Sequence, residues 1–103
     1  LEHSDLKLRT QTATPDLSDE QRERMQVLFE ILISLFERAY LTAYNDEMSP
    51  NQRRRWLSWD DFMREWCRRE DFRTALPQLL QGEDADFAAY ITHIRDEENI
   101  AAS

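Results

Sequence analysis

Met25-Gln26-Val27-Leu28-Phe29-Glu30-Ile31-Leu32-Ile33-Ser34-Leu35-Phe36-Glu37-Arg38-Ala39-Tyr40-Leu41 decides the fold. Met25, Leu28, Phe29, Leu32, Phe36, Ala39 and Tyr40 recur at three- and four-residue steps, the repeat of an α-helix with one apolar face. Val27, Ile31, Ile33, Leu35 and Leu41 carry apolar character well beyond that face. A helix that is apolar around most of its girth needs cover on several sides. The stretch therefore predicts either the central helix of a bundle or half of an interface between copies. Val27, Ile31 and Leu35 are the candidate interface positions.

Working outward, Ser18-Asp19-Glu20-Gln21 forms a capping box. The serine hydroxyl accepts from the amide three residues on, and the glutamine reaches back. The helix then runs from 18 to about Tyr44. Residues 1–17 show no sustained period, and Pro15 disfavours helix before it, so they read as an arm or linker. On the other side, 45–51 is a turn, and Ser49-Pro50-Asn51-Gln52 repeats the start signal with proline at the first helical position. Trp56, Trp59, Met63 and Trp66 then form one seam of a second helix ending near Arg69. Glu70 and Asp71 open a shorter third helix through Leu76, and Pro77 leaves its continuation as a kink or a new turn. Gly82, the only glycine, suits a helix end, and Asp84 caps a last helix bearing Phe87, Tyr90, Ile91 and Ile94. From Asp96 to Ser103 the sequence is acidic and then small, the mark of a frayed tail. The expected fold is all-α: a compact four-helix, bundle-like domain over 18–95, with a long central first helix and the tryptophan helix antiparallel to it.

Composition narrows the function. The 103 residues hold 13 Lys+Arg against 21 Asp+Glu, a net charge of −8, and a negative field opposes nucleic-acid binding. One glycine cannot build a glycine-rich phosphate loop. One cysteine excludes an internal disulfide framework. No apolar run approaches the ~20 residues of a membrane span. Charge is unevenly shared: 48–81 holds seven Arg and five acids, whereas 16–47 and 82–103 are strongly acidic. That pattern suits pairing within the chain.

Each motif has a plain reading beside a chemical one. The tryptophan seam could stack on bases, but tryptophans at helical spacing are first of all a core. Arg53, Arg54 and Arg55 diverge by about 100° each on a helix and make no single patch, whereas Arg69 and Arg73 share a face. Asp60/Asp61 and Asp84/Asp86 are too close in sequence to converge as acid–base pairs. Cys67 with His93 could imitate a nucleophile and its base, but a lone helical cysteine reads as core. His3 and His93 with Cys67 fall short of a convergent zinc set. No catalytic residue, metal site or cofactor is expected. Glu37 and Arg38 interrupt the apolar helix deep within its length. Such charges need partners, expected from the second helix or from Arg69 and Arg73.

Four spaced segments occur together: Leu35-Phe36-Glu37-Arg38-Ala39-Tyr40-Leu41, then Trp56-x-x-Trp59-Asp60-Asp61, then Trp66-x-x-Arg69-x-x-Phe72-Arg73, then Leu79-Leu80-x-Gly82-Glu83-Asp84-x-x-Phe87. In this order, over 18–95, they resemble an uncharacterised group of bacterial all-helical domains. Such domains usually follow one or two N-terminal membrane helices and lie on the cytoplasmic side. The resemblance implies a location and an architecture, not a reaction. The first residue is Leu1 rather than Met, which fits a portion of a longer protein with 1–17 as the former juncture. Any membrane contact is then expected through segments missing from this chain, at the cytoplasmic face of the inner membrane.

The expected function is non-catalytic: a cytoplasmic interaction or regulatory module of a larger, membrane-tethered bacterial protein. It would act by helix–helix docking, with a protein partner or a second copy of itself in a homodimer. The alternative is a domain that senses a small anion or nucleotide through Glu37, Tyr40, Trp59, Arg69 and Arg73.

Overall fold

The computed structural model describes residues 18–102. They form four α-helices, α1 (Asp19–Ala43), α2 (Pro50–Cys67), α3 (Glu70–Leu79) and α4 (Ala85–Ala102), with no strand among the described residues. The arm read at 1–17 lies outside the described residues.

Both capping boxes are formed in full. Ser18 Oγ accepts from the Gln21 amide at 3.2 Å, and the Ser18 amide donates to Gln21 Oε1 at 2.9 Å. Ser49 and Gln52 repeat the pair at 3.2 and 2.9 Å, with Pro50 opening α2. Asp84 Oδ2 accepts from the Phe87 amide at 3.0 Å and caps α4. Gly82 sits at φ +85°, the left-handed region that favours glycine. An added Cβ would meet nothing there, so glycine serves backbone conformation and not space.

Two boundaries differ from expectation. Helix α3 passes through Pro77 and ends at Leu79. Proline removes one amide donor, but Leu76 and Leu79 on either side are both buried and hold the last turn against the core. Helix α4 continues past Asp96 to Ala102 instead of fraying. Its acidic last turns are pinned from α2: Arg64 reaches Glu97 at 2.9 Å and Glu98 at 3.3 Å, and Arg68 reaches Glu98 at 3.1 Å. The expected acidic tail is thus part of the folded helix.

The core is built on phenylalanines. Phe36, Phe72 and Phe87 are fully buried, together with Ile33, Met63, Leu76, Ile91 and Ile94, each contributing about 1.5–3 kcal/mol by leaving water. Phe29 meets Phe72 edge-on at 5.1 Å, and Trp66 lies 6.1 Å from Phe72. Trp56 and Trp66 are buried and Trp59 is half-buried, so the tryptophan seam forms core, as its spacing implies.

Ring contacts also give direction. Tyr44–Trp56, Phe36–Phe62 and Phe29–Trp66 set α1 antiparallel to α2. Trp56–Tyr90 and Arg68–Glu98 set α2 and α4 running the same way, and these two helices share the broadest contact. Helix α1 touches all three others, but from one side only. Val27, Ile31, Leu35 and Leu41 remain 50%, 58%, 42% and 58% exposed. Its apolar girth is therefore half core and half bare surface.

The charges find other partners than expected. Arg69, only 1% exposed, donates through Nε and Nη2 to both oxygens of Asp71 at 2.9 and 2.7 Å and lies 5.9 Å over the Trp66 ring. Glu37 turns to the α3–α4 connection, where it accepts from the Asp84 amide at 2.6 Å. Arg38 lies on the exposed face. The expected link between Glu37 or Arg38 and α2, Arg69 or Arg73 is replaced by a backbone contact, because the turn at 80–84 brings an amide to Glu37 first.

Candidate functional site

The five residues proposed from sequence for an anion do not meet in one cleft. Tyr40 lines a cleft between α1 and α4. Glu37 lines a groove with Ser34, Leu35, Arg38, Leu41 and Thr42. Trp59 borders a third depression beside Arg55, and Arg73 a fourth beside Arg95. Arg69 is enclosed and engaged with Asp71. Arg73 donates to the carbonyls of Cys67 and Arg68 at 3.0 and 2.9 Å, closing the corner between α2 and α3. Both arginines are thus structural ties of the fold, a role their shared face does not reveal.

A cleft of about 530 Å³ is lined by Tyr40 of α1, Tyr44 at its C-cap, Asp46 of the turn, Asp60 and Arg64 of α2, and Asp86, Tyr90 and His93 of α4. Its floor is a hydrogen-bonded chain. Trp56 Nε1 donates to the Tyr90 hydroxyl at 2.9 Å, which donates to Asp60 Oδ2 at 2.6 Å, while Asp60 Oδ1 accepts from Arg64 Nε at 2.6 Å. Burial, and then the bond to Asp60, push the Tyr90 phenol well above its ordinary range. It remains a donor across physiological pH. Above this floor Tyr40 and Tyr44 stack at 4.8 Å, nearly parallel at 11°.

Asp60, Tyr44 and Tyr90 escaped sequence reasoning as site residues. Asp60 had a signal: it lies four residues beyond Trp56 and three before Met63, so it is a carboxylate on the apolar seam of α2. Tyr44 and Tyr90 had none, because their meeting depends on how α1 crosses α4.

Comparison with protein-family models, with curated proteins and with solved structures gives no match.

The other chemical candidates resolve plainly. Burial pushes the Cys67 thiol up to about 12, so it is neutral at physiological pH and packs as a small apolar group. His93 lies on the outside of α4, 3.2 Å from Glu97. Among the described residues no His, Cys, Asp and Glu converge as a metal-binding group. Among the same residues no helix is long and apolar enough to cross a membrane.

Glu83 carries a pH dependence. Burial, then the hydrogen bond and charge of Glu37, raise the Glu83 carboxyl above its ordinary value, and Glu83 Oε1 is buried without a hydrogen-bond partner. A raised folded value means the contribution of Glu83 is complete below the unfolded pKa of about 4.3. It is lost as pH climbs through the folded value. Chemical denaturation of the wild type against Glu83→Gln should show the variant gaining relative stability as pH rises from about 4.3 toward neutrality. A constant difference across that window would contradict a raised Glu83 carboxyl.

Proposed function

We propose that this domain is a non-catalytic interaction module that docks through the outer face of α1, and that its first partner is a second copy of itself. The observation that carries the reading is the bare strip Val27, Ile31, Leu35 and Leu41, each between 42% and 58% exposed on a single helix face. Scattered exposed apolar residues are ordinary, but a contiguous strip marks an interaction surface.

Charge along the strip supports pairing with itself. With a two-fold axis through Ser34, an antiparallel copy places Val27 against Leu41 and Glu30 against Arg38, twice over by symmetry. Ser34, exposed and small at the axis, lets the helices approach. The parallel arrangement would instead set Glu30 against Glu30 and Arg38 against Arg38. Burial of the strip supplies affinity, and the charge register chooses orientation.

In the parent protein we place the domain at the cytoplasmic face of a bacterial inner membrane, tethered by segments outside this chain. The four ordered segments of resemblance support that placement. Anion sensing has no comparable support, since Arg69 and Arg73 are engaged within the fold.

Sedimentation of the purified domain from micromolar to millimolar concentration should show a monomer–dimer equilibrium. Ile31→Asp should abolish it while leaving helicity unchanged. Glu30→Arg alone should weaken it about fivefold, and adding Arg38→Glu should restore it. A strict monomer at millimolar concentration would overturn the reading, and loss without restoration would overturn the antiparallel register.

A further inference from the structure

The cleft beside α4 is separate from the docking face and has a chemistry of its own. We propose that it binds an alkylammonium group, the chemistry shared by polyamines and the lysine side chain, held against the rings of Tyr40 and Tyr44 between the carboxylates of Asp46 and Asp86.

A cleft of about 530 Å³ walled by three tyrosines falls within the size of small-ligand sites. Tyr90 stands 5.4 Å from Tyr40 and 5.3 Å from Tyr44, tilted against both. The hydroxyl of Tyr90 is fixed at both ends by Trp56 and Asp60, so this wall is set before any ligand arrives. A preformed wall spares the ligand the cost of ordering it. Aromatic rings attract a cation through their electron-rich faces and cover the methylenes behind it.

The sign of the charge comes next. The lining holds two groups that could be cationic, and both are occupied. Arg64 is shared among Asp60, Glu97 and Glu98, so this knot is itself net negative. His93 is turned to Glu97. Asp46 and Asp86 are exposed at the rim. Arg53 is felt at Tyr44, though less than burial and Asp46 are. The field of these acids converges on the rings. Tyr40 is raised first by burial and then by Asp86, Tyr44, Asp46 and Asp84. An anion entering here would meet carboxylates and a saturated arginine. An ammonium would meet acceptors and ring faces.

The selection among cations follows from the same parts. A metal ion needs several oxygen ligands converging at about 2.0–2.6 Å, and the described acids form no such group. An ammonium on an apolar stem uses both walls and rim.

The test follows the backbone amide of Ala89 and the ring resonances of Tyr40 and Tyr44 by NMR at fixed ionic strength. Spermidine and N-acetyl-lysine methylamide are added in parallel titrations. Saturable shifts centred on those residues are expected from at least one of the two. Asp46→Asn with Asp86→Asn should weaken binding about tenfold, and Tyr44→Leu should weaken it with the charges intact. Glu23→Gln removes one charge about 25 Å away along α1 and should change nothing. Tighter binding of spermidine assigns a free polyamine, and tighter binding of the lysine amide assigns a side chain of a partner. Shifts spread over all acidic surfaces, or a double variant no weaker than Glu23→Gln, would overturn the site. Both results leave the docking face of α1 untouched.

Discussion

Phe72→Ala is expected to cost about 4 kcal/mol of stability, the largest loss from any single truncation we name. Phe72 is fully buried at the start of α3, edge-on to Phe29 of α1 and beside Trp66 of α2. Its ring is where three helices meet, and none of the three can collapse into the space without leaving another. A domain of this size holds on the order of 4–13 kcal/mol in all, so the variant should lose between about a third and all of its stability. Urea unfolding followed by tryptophan fluorescence reads this directly. A loss below about 1.5 kcal/mol would mean that the core repacks around the void and that α3 is not its keystone.

Asp71→Ala should cost about 3 kcal/mol, because it takes both carboxylate acceptors from an enclosed guanidinium. Arg69 is enclosed and gives two bonds to Asp71. Asp71 keeps some solvent contact, with its side chain 23% exposed, which places the loss at the low end for such pairs. The informative comparison is Arg69→Met with Asp71→Ala. Arg69→Met removes the buried charge along with its lost acceptors, so the double variant should be more stable than Asp71→Ala alone. If the double variant is the worse of the two, Arg69 holds the α2–α3 corner through its length and its stacking on Trp66 more than through its charge.

The outcome for α4 shows where sequence reading stops. Asp96, Glu97 and Glu98 read as a solvated end because three acids at a helix C-terminus oppose the helix dipole. In the fold, two of them receive Arg64 and Arg68 from α2. The cations lie about thirty positions upstream, and no local rule connects them. Pro77 is a similar case: its neighbours Leu76 and Leu79 decide the helix, and their burial is a tertiary fact. The breadth of the apolar pattern on α1 was legible from the start, and Val27, Ile31 and Leu35, read as lying beyond the core face, are exposed; the pattern did not tell the buried Ile33 from the bare Leu41. Ile33 is buried while Ile31 is exposed, although both lie beyond the periodic face and are equally apolar. Only the directions from which α2, α3 and α4 arrive distinguish these two.

Short-range chemistry alone settled the helical starts at Ser18, Ser49 and Asp84, the left-handed turn at Gly82 and the all-α class, because caps, glycine conformation and hydrophobic period act within a few residues. Packing decided the partners of Glu37 and Arg69, the burial of Ile33 and exposure of Leu41 on α1, and the meeting of Tyr40, Tyr44 and Tyr90 over Asp60. Those arrangements depend on contacts between residues tens of positions apart, and the crossing of whole helices brings them together.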